Sequence, residues 1–478
     1  MRRPIETYLQ NDWKTYSIFL LSIVAFLYIF RGIYVDDTFI TLCYARSLAR
    51  DAVWGMHPDW VSNAATSPLN VILLTGFIEL GVDPLLAPYV YTSVLAVVVF
   101  VELLFVSQRL FGTDEWAYAG TLLLFTNPLL VSTMGLETYL FVTLVIACYI
   151  CFEREAFYLL GAACGLLALT RPDGVLLLAI VLALTLLRRP VDALKILAAA
   201  AAVAAPWELV SWSYLGSLLP DTFFIKRMES SWSGFHFPGG ILLFFLDYPA
   251  ATLASFALLP FAPFAGPLIK KGPAGRDLLL ILGGTALLHL ACYGALSVPP
   301  YHWYFGLLCA SGVLLGSARL ILSYPQRWAR MAAVGAVSLF GAAVSARAAL
   351  TTGEMPIHSN WATARQYEAM AQWINQQPEI ELFRVSHEIG TIQFYAKAHA
   401  INQFSDRRII AEQVLTRERP AALQALIELN FKNLKTFEEP AGGHTLGVCE
   451  RTPGTVMQRW TVRASWKPPS NEWCFVKN

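Results

Sequence analysis

Apolar runs long enough to cross a bilayer recur along the first 350 residues, and they decide the fold class. A spanning helix needs about 20 residues, because each advances it about 1.5 Å through a core roughly 30 Å thick. Such runs lie at about 15–33, 85–110, 116–134, 138–152, 157–170, 173–188, 194–214, 240–265, 277–296, 303–321 and 329–349. About eleven spans predict a polytopic α-helical membrane protein. Charged residues make up 14% of the chain, against roughly 25% in soluble domains. The net charge is +1 and the lysines and arginines are scattered rather than striped, which argues against nucleic acid as a partner.

Cytoplasmic loops hold the excess of basic residues. Arg2, Arg3 and Lys14 precede the first apolar run with no small-residue cleavage site after it, so the N-terminus reads as cytoplasmic and the run as an uncleaved anchor. The inside loops then carry Arg109, Arg154, Arg188-Arg189 with Lys195, Lys270-Lys271 with Arg276, and Arg319, Arg327 and Arg330. The pattern holds if residues 67–82, short and interrupted by Asn70 and Glu79, lie in the outer interface instead of crossing. From about residue 351 charges become frequent and long apolar runs stop. Residues 1–350 read as a transmembrane unit and 351–478 as a small extracytoplasmic α/β domain. In it Ala362–Gln376 and Ala421–Leu429 are expected helices and Leu382–Ser386 a strand.

Of eight cysteines, six lie in or beside apolar runs as small hydrophobes. The Cys148-x-x-Cys151 pair has no second pair or histidines near it. Cys449 and Cys474 are the two that would form a disulfide in an oxidising compartment.

The residues suited to chemistry collect on the side opposite the basic loops. Asp36 and Asp37 follow the first run directly, where two carboxylates are costly to desolvate. On a helix they diverge by about 100°, so one can face a pocket while the other caps or anchors. A carboxylate there suits proton removal from a sugar hydroxyl or steadying an oxocarbenium-like centre, and either acid fits. Tyr44 shares the face of Asp37. Glu137 stands at another junction; its plainer role is a helix-end acid paired with a basic neighbour. Arg171 and Asp173 flank Pro172, where a mutual salt bridge competes with phosphate binding by Arg171. Lys226 follows Pro220-Asp221-Thr222 and suits a lipid-linked phosphate, with headgroup snorkelling as the plainer role. Tyr301, His302, Trp303 and Tyr304 fit an aromatic belt, sugar stacking or, for His302, a phosphate hydrogen bond. No Gly-rich nucleotide loop, H-E-x-x-H or G-x-S-x-G occurs. Without a nucleotide cradle, an activated donor would arrive attached to lipid. No ligand cluster calls for a metal, although a divalent ion between Asp36 and Asp37 stays open.

These segments resemble membrane glycosyltransferases of the GT-C fold, and within them bacterial arabinofuranosyltransferases. The matching pieces are Asp36-Asp37-Thr-Phe-Ile-Thr with Tyr44-Ala45-Arg46, Thr66-Ser67-Pro68-Leu69, Gly135-Leu136-Glu137-Thr138, Leu169 to Gly174, Leu219 to Lys226, and Tyr301-His302-Trp303-Tyr304. The resemblance implies a catalytic acid, Asp36 or Asp37, in the first outer loop. It implies juxtamembrane helices on the outer surface and a polyprenyl-phosphate sugar as co-substrate. Lys226, Arg171, His302, Tyr301 and Arg46 would hold the donor and its phosphate; Glu137, Tyr44, Asp221 and Tyr304 would line the substrate pocket. Ser386 to Ile392 is similar to the first strand-and-helix unit of the family's outer domain, implying an acceptor-binding role there. The expected activity is transfer of a sugar, D-arabinofuranose first, to a glycan or protein acceptor on the outer face of a bacterial inner membrane. The alternative is a lipid-linked sugar carrier or flippase without transfer. It would need polar groups at the bilayer midplane, whereas here they gather at one face.

Overall fold

The computed structural model describes residues 13–229, 231–232, 234–410, 421–431, 443–463 and 471–478. Among them seven helices are long and apolar enough to cross a membrane: Trp13–Phe30, Ala87–Phe111, Pro190–Leu215, Pro249–Lys271, Pro273–Leu296, His302–Ser323 and Arg327–Thr351. Shorter apolar helices lie at Pro68–Glu79, Thr138–Glu153, Phe157–Thr170, Pro172–Leu186 and Phe237–Asp247.

Two expected runs are broken, each for a local reason. The run at 116–134 ends its first helix at Phe125. Asn127 then accepts the N–H groups of Leu129 and Leu130, and Pro128 opens a separate turn. The run at 240–265 stops at Asp247, and Pro249 restarts it. Pro263 and Pro267 further along hold the chain in a tighter 3₁₀ coil over Leu259–Lys271. The segment expected to lie in the interface forms the helix Pro68–Glu79, whose 12 residues reach about 18 Å, short of a crossing. It packs across the chain through Asn70 Nδ2, which donates to Gly135 O at 2.9 Å, and Thr75 Oγ1, which reaches Ala45 O at 3.3 Å.

After Thr351 the architecture changes. A helix at Ala364–Ile374 opens with a reciprocal cap, Thr363 bonding the Gln366 amide and Gln366 the Thr363 amide. Five strands follow: β1 Leu382–Val385, β2 His399–Ile401, β3 His444–Val448, β4 Thr455–Val462 and β5 Asn471–Lys477. Their order is β2-β1-β3-β5-β4. β1 pairs parallel with β2 (Leu382 opposite His399) and with β3 (Phe383 opposite His444). β5 runs antiparallel to β3 and β4. Cys449 and Cys474 are joined in a disulfide across this second half of the sheet. One hydrophobic core runs from the membrane helices into the sheet, with Leu27, Phe39 and Leu103 at one end and Phe383, Leu446 and Trp473 at the other.

Three short helices set up the site: α1 Asp36–Asp51, α2 Asp221–Glu229 and α3 Gly390–Tyr395. α3 is the crossover between the parallel strands β1 and β2, and it lies on the start of α1.

Candidate active site

α1 begins at Asp36, with Val35 as its cap and both acids in the first turn, where carboxylates complement the helix dipole. Successive side chains on a helix point about 100° apart, and the two acids meet different surroundings. Asp36 is 3% exposed. Its Oδ2 accepts the Gly390 N–H at 2.9 Å, and its Oδ1 accepts the Thr391 N–H at 2.7 Å and hydroxyl at 2.8 Å. Burial lifts the Asp36 carboxyl to about 6, and these α3 donors hold it below where burial alone would put it. Asp37 points elsewhere. Its Oδ1 lies 3.7 Å from Lys226 Nζ, and 31% of its side chain is open. Burial raises its pKa above the ordinary range and the Lys226 ammonium opposes that rise.

Lys226 sits on the last turn of α2, its side chain 9% exposed. Its ammonium faces the rings of Tyr301, Trp303 and Tyr304 at 4.8, 5.1 and 5.6 Å. Tyr301 is held in turn: its hydroxyl donates to Glu229 Oε2 at 2.7 Å, and Trp232 packs edge-on against its ring. Glu229 also accepts Gln403 Nε2 at 3.1 Å. Burial raises the Glu229 carboxyl, and the Tyr301 hydroxyl works against that rise.

Two cavities meet at Asp37. The larger, about 1020 Å³, is walled by Asp36, Asp37, Glu229, Trp232, Tyr301, Trp361, Glu388 and Gln403, among others. The smaller, about 350 Å³, is walled by Asp37, Glu137, Arg171, Lys226, Trp303 and Tyr304, with an apolar rim that includes Val175 and Leu296. Those rim residues are 50% and 40% exposed. Within the larger cavity Glu388 accepts the Trp361 N–H and the Tyr367 hydroxyl. Burial pushes its carboxyl well above the usual range.

Of the residues singled out from sequence, Asp36, Asp37, Lys226, Arg171, Glu137, Tyr301 and Tyr304 line a cavity. Arg171 is nevertheless committed within the protein. It donates to Glu137 at 3.1 Å, to Asp173 at 2.9 and 3.1 Å and to Tyr293 at 2.7 Å. Asp173 also meets His289 Nε2 at 2.8 Å. Four other candidates lie off both cavities. Arg46 bonds the Phe394 carbonyl at 2.6 Å. The Tyr44 hydroxyl is enclosed between Ser62 and the Ala64 amide. His302 is buried against the Ser132 carbonyl at 3.4 Å. Asp221 is gripped by Arg407, Nε to Oδ2 at 2.7 Å and Nη2 to Oδ1 at 3.0 Å.

Glu229, Trp232, Trp361, Gln403 and Glu388 were not singled out. Glu229 had a usable signal: it lies three residues beyond Lys226 and so shares its helix face. Trp232 follows α2 in the chain, and Trp361, Glu388 and Gln403 come from loops that the C-terminal fold brings in.

No family model matches the sequence, and no curated protein matches it. Among solved structures, ArnT from Cupriavidus metallidurans bound to undecaprenyl phosphate superimposes with a TM-score of 0.59 at 13% identity, covering 96% of this chain and 98% of ArnT. The oligosaccharyltransferase of Archaeoglobus fulgidus superimposes with a TM-score of 0.53 at 11% identity, over 93% of this chain and 70% of that one. Arabinofuranosyltransferase AftD from mycobacteria reaches 0.48 at 16% identity over 80% of this chain and 31% of its own, too little to bear on the sugar. The apolar helices and the superpositions on ArnT and the oligosaccharyltransferase together make the chain a multi-pass membrane protein that shares their fold.

Proposed function

We propose that this chain is a membrane glycosyltransferase that moves a sugar from a polyprenyl-phosphate donor to a hydroxyl acceptor at the outer face of the membrane. The observation that carries the reading is the Asp37–Lys226 pair, 3.7 Å apart where the two cavities meet. The smaller cavity, with one lysine and an apolar rim, suits a phosphate on a greasy tail. The larger one, walled by tryptophans, two tyrosines and carboxylates, suits a polyhydroxylated acceptor. The ArnT structure with undecaprenyl phosphate supports the lipid class on fold grounds.

In this reading Asp37 is the general base. It takes the proton of an acceptor hydroxyl as that oxygen bonds to the anomeric carbon. The bond from that carbon to the phosphate oxygen breaks, and the polyprenyl phosphate leaves with the electron pair. Lys226 neutralises the charge that grows on the leaving phosphate. The raised pKa makes Asp37 a stronger base than a free carboxylate. When the phosphate draws Lys226 to itself, Asp37 loses its counter-ion and becomes a stronger base. A single displacement of this kind inverts the anomeric centre.

The resemblance of the Asp36–Arg46 and Leu219–Lys226 segments to arabinofuranosyltransferases makes D-arabinofuranose the first donor to offer. The test is mass analysis of products from purified protein given a panel of polyprenyl-phosphate sugars with glycan and peptide acceptors. A glycosylated product from wild type, absent with Asp37→Asn, supports the reading. Donor exchange between leaflets without any new glycosidic bond overturns it in favour of a carrier.

A further inference from the structure

We infer that Asp36 and Asp221 are positioning residues that fasten the two site-bearing helices to the C-terminal fold, so that residues 382–410 and 421–431 complete the site. The inference rests on the transferase reading, in which Asp37 on α1 and Lys226 on α2 must stand at a fixed separation. The two residues belong to helices far apart in sequence, and each helix is tied to the C-terminal fold by one buried carboxylate.

The first tie is at the start of α1. Both Asp36 oxygens are taken up by the first amides of α3 and the Thr391 hydroxyl. The contact is too close for any side chain at position 390. A Cβ there would stand 2.2 Å from Asp36 O and 2.7 Å from Ile40 N. Asp37 is the next residue, so the direction of its side chain follows from how Asp36 is held.

The second tie is at the start of α2. Arg407 grips Asp221 with two parallel hydrogen bonds and also donates to the Leu215 carbonyl. Asn430 accepts the N–H groups of Leu218 and Leu219 at 3.0 and 2.9 Å, fixing the chain that leads into α2. Phe224 and Ile225, on the helix itself, pack against Ile410, Ile427 and Phe431. Lys226 follows directly. All four oxygens of the two aspartates accept hydrogen bonds from the C-terminal fold, and an error of about 1 Å between reacting groups costs on the order of 100-fold in rate.

The test uses the full chain in nanodiscs, with amide exchange and steady-state kinetics side by side. Arg407→Ala is expected to speed exchange about tenfold or more in α2 while the membrane helices keep wild-type protection. Asp36→Ala and Gly390→Ala are expected to do the same in the first turns of α1 and α3. Each should lower kcat about 10- to 100-fold with donor KM within about threefold. Asp221→Arg combined with Arg407→Asp should recover kcat about tenfold over either change alone.

Unchanged exchange in α1 and α2, or loosening throughout the molecule, overturns the inference. Complete loss of turnover in Asp36→Asn with α1 still protected also overturns it, because Asp36 would then act on substrate. If wild type transfers no sugar at all, the transferase reading fails, and the exchange data alone still decide whether the two ties position α1 and α2.

Discussion

The Lys226 ammonium lies 3.7 Å from Asp37 Oδ1, and three aromatic rings close around it. Rings attract a cation but supply no full charge, so the three rings leave the lysine able to pair with an anion. Replacing Asp37 with asparagine removes the proposed base and keeps the shape. The expected loss in kcat is about 10²- to 10⁴-fold. Donor affinity should hold or improve, because Lys226 then faces no carboxylate. Titration of donor binding beside turnover checks both halves.

The same pair predicts a pH dependence. Burial raises the Asp37 pKa and Lys226 opposes the rise. The base works only when deprotonated, so activity falls as pH drops through that pKa. In the donor complex Lys226 is drawn to phosphate, and the pKa climbs further. The acid limb of kcat should therefore lie at higher pH than the acid limb of kcat/KM, which reports the free enzyme. Coincident limbs would show that Lys226 does not leave Asp37 when donor binds.

Lys226→Gln should act chiefly through the donor. A hydrogen bond to a charged group contributes about 1.5–3 kcal/mol, so kcat/KM is expected to fall roughly 10- to 150-fold. Lys226→Arg should recover only part of this, since a planar guanidinium fits a cage around a compact ammonium poorly. An arginine variant as active as wild type would argue against the cage.

Glu229 and Tyr301 should behave as one unit. The tyrosine hydroxyl donates to the carboxylate at 2.7 Å, and its ring forms one wall of the lysine cage. Glu229→Gln and Tyr301→Phe are each expected to cost about 1–2 kcal/mol in kcat/KM, and the double variant little more than either. Additive losses in a double-mutant cycle would mean that Glu229 contacts substrate on its own account.

The residues that line the cavities were easier to find than their orientations. Asp36, Asp37 and Lys226 stand out because charges beside apolar runs have few structural uses. Which acid keeps its carboxylate open is decided by Gly390 and Thr391, whose bonds to Asp36 span 354 and 355 residues. No local periodicity carries that. The same gap explains Arg46, Tyr44, His302 and Asp221, which share motifs with cavity residues but spend their polar atoms on internal partners. Apolar length located seven helices long enough to cross, while the runs at 138–152, 157–170 and 173–188 form shorter helices and Asn127 and the prolines from Pro249 to Pro267 interrupt runs whose hydropathy does not register them. Glu388 lay within a segment matched by resemblance, but its partners Trp361 and Tyr367 come from other stretches, so its burial was not readable.

The Cys449–Cys474 disulfide carries the last prediction, on compartment and stability together. It links the turn after β3 to β5, closing a sequence separation of 25 residues. Closing a loop of that size contributes about 3 kcal/mol by restricting the unfolded chain. Cys449→Ser with Cys474→Ser should therefore lower the melting temperature of the sheet-bearing unit, while the membrane helices melt as before. Such bonds persist in oxidising compartments and are rare in reducing ones. Protein taken from membranes under thiol-blocking conditions should carry the bond, and an impermeant maleimide should label a cysteine placed at the exposed Glu472 in intact spheroplasts. Labelling only after the membrane is permeabilised would put residues 351–478 in the cytoplasm and remove the basis for chemistry at the outer face.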